Sequence, residues 1–238
     1  MPTGLKDRLD QLVTVAMALA AIAMVWLFLA REFGASSRVA SSGSSGEPVY
    51  VENWRTHLAS GIVRGRVDAP ITIVELMDFE CPFCQRMDSV LEQVRQRFDT
   101  SIAVVFIHFP LPNHRFAIPA ATAAECGLAQ GRFEQLQTVL FAKQDSFGLK
   151  PWRSYAAEAG IPDLNEFTRC TASARELTRI KAGLEVGRAM GLRGTPTILL
   201  NGWRFPIPPT FVELESAITE SLSGRGKWAE RNRVAANR

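Results

Sequence analysis

The chain has 238 residues, of which 47% are hydrophobic, and its formal net charge at pH 7 is +3. This length allows one large domain or two small ones. The charges are nearly balanced, and no basic stripe interleaved with aromatic residues is visible, so the sequence predicts no nucleic-acid partner. No internal repeat is visible.

An uncharged apolar run occupies residues 12–30. As a helix it would span roughly 28 Å, enough for the hydrocarbon core of a bilayer. Because the run is apolar on every face, we predict a transmembrane anchor rather than a buried core helix. A cleaved secretory signal is the alternative, although its apolar region is usually only about 7–15 residues long. Either way the rest of the chain is expected to be exported, with residues 1–11 staying in the cytoplasm if the anchor is retained.

The sequence after this run changes character twice. Residues 31–46 form a Ser/Gly linker that cannot bury a core. A folded domain is predicted over residues 47–223. Residues 224–238 are polar and basic, and we expect this tail to be frayed.

The folded region begins with a strand–helix–strand pattern. Residues 71–77 and 102–109 are short, β-branched and nearly continuous in apolarity, which is typical of strands covered on both faces. Residues 82–98 between them carry one apolar stripe at helical spacing, with Pro82 tolerated in the first turn. This order favours a right-handed parallel βαβ unit.

The second half predicts a hairpin and a closing helix. The segment TPTILLNGWRF reads as two strands joined by an Asn-Gly turn, and residues 211–222 follow as an amphipathic helix. Residues 112–192 are mostly helical in pattern, with breaks near Gly131 and before Pro162. The predicted fold class is therefore α/β, in the order βαβ…ββα with a helical insertion.

A Cys-x-x-Cys pair, Cys81 and Cys84, opens the first predicted helix of the domain. Unpaired N–H groups and the helix dipole favour an anion there, and such a thiol can have a pKa between roughly 3.5 and 7.5. Half of a zinc site would need two more ligands, and the sequence has no second Cys-x-x-Cys and no His-rich tract. A purely structural bridge would close a very small loop and constrain little. The pattern favours a redox couple over both alternatives.

The motif DFECPFC after a strand, followed much later by GTPTILLNG, resembles the thioredoxin superfamily and, within it, the DsbA-like thiol:disulfide oxidoreductases. The resemblance covers about residues 63–218. It implies a thioredoxin fold in which Cys81 is the nucleophile, Cys84 the resolving cysteine, and Thr195–Pro196 the cis-proline dipeptide beside the sulfurs. Only about 5–6% of X-Pro bonds are cis, so this isomer is an expectation from the family.

The resemblance also implies a role for Glu75, which occupies the family's acidic position six residues before the first cysteine. A buried carboxyl there would have a raised pKa and could accept a proton from Cys84. The alternative is that strand alternation turns Glu75 to solvent. Asp78 is the weaker candidate, and we interpret it as a polar residue at the strand end.

One departure from the best-known member of the family concerns the spacer, which is Pro-Phe and lacks a histidine beside the second cysteine. The Cys81 thiolate would then be less stabilised and the disulfide less strongly oxidising. The sequence leaves the direction of catalysis open.

The remaining cysteines, Cys126 and Cys170, lie in the helical insertion. Two leftover cysteines in an oxidising compartment usually pair, and some DsbA-like proteins carry such an extra bridge. We predict a structural disulfide, with two buried free thiols as the alternative.

Other residues give weaker signals. His108 and His114 flank FPLPN, and a strand-end histidine bonded to the backbone is the more common situation. An apolar rim for unfolded substrates could be formed by Phe83, Trp203 and Phe205.

Together these features predict a membrane-tethered protein-disulfide oxidoreductase on the extracytoplasmic side of the inner or cytoplasmic membrane. Its expected substrates are exported cysteine-containing proteins, and an unidentified membrane or periplasmic redox partner would recycle the pair. No organic cofactor or metal is expected. A reductase or isomerase, and a non-catalytic tethered binding domain, remain as alternatives.

Overall fold

A computed structural model of the protein describes residues 4, 16–26, 46–173 and 177–228. The chain divides into two compact units, Met1–Gly46 and Glu47–Arg238.

In the first unit, residues 16–26 are helical and their side chains are exposed. Among the residues that the structure describes, no helix combines the length and apolarity that crossing a bilayer requires. The rest of the predicted anchor, residues 12–15 and 27–30, lies outside the described residues, as does nearly all of the predicted linker.

The second unit is built on one six-stranded mixed sheet. Strands β3 and β4 run parallel in the register Ile71↔Ile102 to Met77↔His108, and every other neighbouring pair is antiparallel. The predicted parallel βαβ unit is thus confirmed. The strands, in the spatial order β1-β6-β5-β3-β4-β2, are β1 Val49–Tyr50, β2 Ile62–Gly65, β3 Ile71–Met77, β4 Ile102–His108, β5 Thr197–Leu200 and β6 Trp203–Arg204.

Seven α-helices surround the sheet in the described part of this unit. The predicted helical insertion corresponds to α2–α6 between β4 and β5, and helix breaks occur near Gly131 and Pro162 as expected. The helices are α1 Pro82–Phe98, α2 Ala117–Leu128, α3 Phe133–Ala142, α4 Trp152–Glu158, α5 Leu164–Ala172, α6 Thr178–Ala189 and α7 Phe211–Leu222.

Alternation along β3 divides the core into two clusters, one on each face of the sheet. Ile73 and Met77 face the larger cluster, which includes α1 and most of the insertion, while Val74 and Leu76 face the smaller one under α6. Both faces of the strand are therefore covered, which accounts for its nearly continuous apolar sequence. Glu75 interrupts that sequence on the α1 side.

The hairpin between β5 and β6 turns at Asn201 and Gly202, whose φ angles are 47° and 90°. Positive φ at both central residues is the requirement of the turn that Asn-Gly favours. The Asn201 side chain also accepts a hydrogen bond from the Thr72 amide at 2.8 Å, which links the hairpin to β3.

The basic tail was predicted to be frayed from residue 224, and this prediction is wrong for residues 224–228. Trp228 is only 6% exposed. Its ring stacks on Phe205 with centroids 4.9 Å apart and meets Trp203 edge-on at 6.1 Å. Burial of a large aromatic side chain outweighs the polar character of its neighbours.

Candidate active site

The two cysteines of the motif lie at the junction of β3 and α1. Cys81 is the N-cap residue of α1, with extended backbone (φ −79°, ψ 119°), and Pro82 follows in the first turn. The Cys81 carbonyl accepts hydrogen bonds from the amides of Cys84 (3.0 Å) and Gln85 (3.2 Å). Both cysteines are free thiols. The sequence therefore places Cys81 at the end of a helix where an anion is favoured.

The pKa of Cys81 is lowered from an ordinary value of 9.0 to about 5. The largest cause is the hydrogen bond from the Cys84 thiol; burial opposes it, and the Thr195 side chain and the amides of Cys84 and Phe83 lower the pKa further. By ordinary geometry the Thr195 hydroxyl makes no hydrogen bond to a described residue. At neutral pH Cys81 is consequently a thiolate.

Cys84 differs from Cys81 in its electrostatic surroundings rather than in burial, since Cys81 is 3% exposed and Cys84 is 0% exposed. The Asp78 amide lies 3.4 Å from the Cys84 sulfur. Burial, followed by the hydrogen bond to Cys81 and the charge of Glu75, raises the Cys84 pKa well above 9.0. The pair is thus polarised into one thiolate and one buried thiol that donates to it.

Thr195 and Pro196 lie beside the reactive sulfur, immediately before β5. The peptide bond between them is cis, as the resemblance implied. The Cys81 sulfur is 3.3 Å from the Thr195 carbonyl oxygen.

Glu75 faces inward from β3 and is 0% exposed, so the alternative of a solvent-facing side chain is wrong. Neither carboxyl oxygen has a hydrogen-bond partner among the residues that the structure describes. Burial, and then the charges of Asp88 and Cys81, raise the Glu75 pKa well above 4.5. Its charge in turn acts on Cys84, which is the relation expected of a proton acceptor for that thiol.

Asp78 has a larger structural role than the sequence suggested. Its side chain is buried and accepts hydrogen bonds from the amides of Glu80 and Leu111, each at 2.8 Å. It also pairs with His114 Nδ1 at 2.7 Å. These contacts tie the segment after β4 to the turn that presents Cys81.

Gln144, which follows α3, was not identified from the sequence. Its side-chain amide donates to the carbonyl oxygens of Phe79 (2.7 Å) and Cys81 (3.0 Å). It therefore fixes the helical insertion to the active-site turn. A glutamine more than 60 positions away carries no local signal of this role.

His108 and Phe83, two weaker candidates from the sequence, lie in different surroundings. His108 is bonded to the Glu125 carboxylate at 3.1 Å rather than to the backbone, and Arg179 holds the same carboxylate. The pKa of Glu125 is lowered to about 2; the hydrogen bonds from His108 and Arg179 overcome a larger opposing effect of burial. Phe83 is 58% exposed beside the cysteines, with the Arg86 guanidinium 4.4 Å above its ring.

The rest of the predicted apolar rim is not free, because Trp203 and Phe205 are partly covered by Trp228.

Cys126 and Cys170 form a disulfide between α2 and α5, with Cα atoms 5.9 Å apart. Within the described residues, no group of three or more His, Cys, Asp or Glu side chains is arranged to hold a metal ion.

Comparison with known proteins gives matches in sequence and in structure. The family model described as "Thioredoxin" matches residues 58–220. The Na(+)/H(+) antiporter NhaA 1 of Mycolicibacterium gilvum is 39% identical over 167 residues, which cover 69% of this chain and 26% of that protein. NhaA 3 of Salinispora tropica is 32% identical over 185 residues, 77% of this chain and 27% of that protein. The chain thus spans about a quarter of the length of these curated relatives.

Solved structures match over nearly their whole length. Oxidised BdbD from Bacillus subtilis superposes with a TM-score of 0.63 at 20% identity, covering 76% of this chain and 98% of BdbD. The alpha-DsbA1 protein of Wolbachia pipientis gives a TM-score of 0.58 at 17% identity, covering 67% of this chain and 89% of that one. These likenesses establish the fold.

The family match confirms the resemblance to the thioredoxin superfamily that the two motifs indicated. The chain belongs to the thioredoxin family, whose model covers well over half of its length.

Proposed function

We propose that this chain exchanges disulfides with cysteine-containing exported proteins through Cys81 and Cys84. The observation that carries the proposal is the position of Cys81 at the N-terminus of α1, with its sulfur 3.3 Å from the carbonyl oxygen of Thr195 in the cis Thr195–Pro196 dipeptide and with the buried Cys84 one turn further along. The Cys81 pKa of about 5 and the raised Cys84 pKa agree with this arrangement. A metal site or an inert bridge would not require one thiolate and one buried thiol. Neither a metal nor an organic cofactor takes part in the proposed reaction.

The reaction consists of two exchanges. A substrate thiolate attacks the Cys81 sulfur of the oxidised pair, the Cys81–Cys84 bond breaks, and Cys84 leaves with the electron pair and takes a proton from Glu75. A second substrate thiolate then attacks the substrate sulfur of the mixed disulfide and expels Cys81 as a thiolate. The substrate loses two electrons and gains a disulfide, and the protein pair gains the two electrons.

The favoured direction is oxidation of substrates. A low pKa makes Cys81 a good leaving group and stabilises the reduced pair, and both effects favour donation of the disulfide. The hydrogen bond from Cys84 supplies stabilisation that the spacer, lacking a histidine, does not. Reduction or isomerisation of disulfides uses the same atoms in the reverse order and is the second candidate.

We further propose that the domain works outside the cytoplasm, tethered by residues 12–30, and that a membrane or periplasmic redox partner reoxidises it. Support comes from the 19-residue uncharged run at the N-terminus and from the Cys126–Cys170 disulfide, a type of bond that persists in oxidising compartments. One structural neighbour is described as a periplasmic thioredoxin-like protein from Salmonella enterica.

The test is oxidative refolding of a reduced disulfide-containing protein by the full chain, compared with Cys81→Ser and Cys84→Ser. Cys81→Ser should abolish exchange, whereas Cys84→Ser, with oxidised glutathione added as the oxidant, should retain Cys81 and accumulate a mixed disulfide visible by mass spectrometry. Exchange by Cys81→Ser at the wild-type rate would contradict the assignment of the nucleophile. Absence of exchange in the wild-type chain would favour the tethered binding domain instead.

A further inference from the structure

The buried Glu75 carboxyl needs a route by which protons reach it. It is 0% exposed, and any proton it gives to Cys84 must be replaced before the next turnover. Cys84 and Asp88 are four residues apart on α1, so their side chains lie on the same face of the helix. Glu75 senses the charge of Asp88 directly and acts on Cys84 in the same way. Asp88 is therefore the carboxyl on the Cys84 face of α1 whose charge acts on Glu75.

Asp88 also reaches solvent. It lines a polar pocket of about 570 Å³ together with Arg64, Glu92 and Glu134. It borders a second pocket of about 320 Å³ beside Gln85 and Thr138 as well. Asp88, whose charge acts on the buried carboxyl, thus borders two openings at the surface.

Several buried polar atoms on residues that contact Asp88 or act on it electrostatically have no hydrogen-bond partner among the described residues. Gln137 is fully buried and donates to Asp88 Oδ1 at 2.7 Å, yet its own Oε1 has no hydrogen-bond partner among the described residues. The same holds for Arg64 Nε and for both oxygens of Glu75. Buried polar groups are normally hydrogen-bonded, to protein or to water. Because these atoms lack protein partners in the described part of the chain, the site is polar enough for water to bridge the carboxyls.

We propose that Asp88 relays protons between Glu75 and the solvent of the pocket bounded by Arg64, Glu92 and Glu134. When Cys84 leaves as a thiolate it takes the proton of Glu75; Asp88 then gives its proton to Glu75 and recovers one from solvent. In the reverse direction each proton moves the other way, and no electron is transferred at Asp88. This inference rests on the proposed thiol–disulfide exchange and adds the path of its proton. Asp88 acts through Glu75 and does not touch the reacting sulfurs.

The charges around Asp88 suit a relay. Burial raises its pKa most strongly and Glu92 adds to the rise, while Arg64, Gln137 and Arg95 oppose it. The Asp88 pKa is therefore raised in the same direction as that of Glu75. Proton transfer between two carboxyls whose pKa values are both raised costs less free energy than transfer between one with a raised pKa and one with an ordinary pKa.

The experiment is single-turnover reduction of the Cys81–Cys84 disulfide by a small dithiol, followed by acid quench and thiol alkylation across pH 5 to 9. Asp88→Asn should slow this reaction at least tenfold at pH 7, and added formate should restore the rate in proportion to its concentration. Asp88→Glu, which retains the carboxyl, should keep most of the wild-type rate. The matched control is Asp68→Asn, which makes the same change at an exposed carboxylate that lines neither pocket and pairs with Arg66, and which should react at the wild-type rate.

The outcomes separate the two proposals. Exchange by the wild-type chain together with an unchanged pH–rate profile in Asp88→Asn would overturn the relay alone. A slowed reaction that formate does not restore would also overturn it, because that is the result expected of a purely structural residue. Absence of exchange in the wild-type chain would instead overturn the proposed function. Should Asp88→Asn fail to fold, Asp88→Ser is assessed by the same criteria.

Discussion

Acidification of the reduced protein should protonate Cys81 in one step near pH 5. With a pKa of about 5, the thiolate fraction at pH 7 is about 99%, against about 3% for a free cysteine of pKa about 8.5. Thiolate absorbance near 240 nm should therefore rise between pH 4 and 6 and then stay constant, because the raised pKa of Cys84 keeps that thiol protonated. The oxidised protein, which has no thiolate, is the control.

The two consequences of this pKa for the rate of attack by Cys81 nearly cancel. The thiolate population at pH 7 is about 30-fold larger than that of a free cysteine, but intrinsic nucleophilicity falls by about 40-fold over the same 3.5 units with a Brønsted coefficient of about 0.45. Alkylation of Cys81 at pH 7 should consequently proceed at about the rate of a free cysteine. The low pKa favours Cys81 as a leaving group instead, which is the property that a disulfide donor requires.

The same shift predicts how stability depends on pH. The folded pKa of Cys81 lies below the unfolded one, so its stabilisation of the reduced protein is complete above about pH 9 and is lost as the pH falls through about 5. Cys84→Ala should raise the Cys81 pKa, because it removes the contact that lowers this pKa most. A single transition at pH 8 or above in the wild-type protein would refute this reasoning.

Three further predictions concern stability, each measured by denaturant unfolding. The double variant Cys126→Ala, Cys170→Ala opens a loop of 44 residues. On the chain-entropy model it should lower the free energy of unfolding by about 4 kcal/mol. A decrease below about 1 kcal/mol would show that the bridge constrains the unfolded chain little. Gly183→Ala would place a Cβ 2.0 Å from the His108 carbonyl oxygen. This variant should therefore be less stable by about 1–3 kcal/mol, despite the better helix propensity of alanine. A more stable variant would contradict the close packing of α6 on β4. Trp228→Ala should cost about 3 kcal/mol, whereas a neutral effect would indicate that the segment after α7 does not contribute to the core.

The sequence predicted those parts of the fold that depend on local pattern. The apolar runs of β3 and β4, the helical stripe of α1 and the Asn-Gly turn at residues 201 and 202 each specify an element through spacing or backbone conformation. Family resemblance, rather than local pattern, supplied the cis bond before Pro196 and the inward position of Glu75. Strand alternation alone left the direction of that side chain open.

Contacts between distant segments could not be predicted. Gln144 bonds to the carbonyl of Cys81 from 63 positions away, and Gln137 bonds to Asp88 from 49 positions away. Both depend on how the helical insertion packs against α1, and nothing in their own neighbourhoods specifies it. The burial of Trp228 was not predicted for a related reason: the residues around it are polar, so the segment reads as a tail outside the core.

The central claim, that the pair donates disulfides, is tested most directly by its reduction potential, measured by equilibrating the full chain with glutathione. If the pair is a disulfide donor, we expect a value between about −120 and −200 mV, in the range of strong oxidants and protein disulfide isomerase. Cys84→Ser should abolish the two-electron equilibrium. A value near about −270 mV, that of thioredoxin, would contradict the account and identify the protein as a reductant.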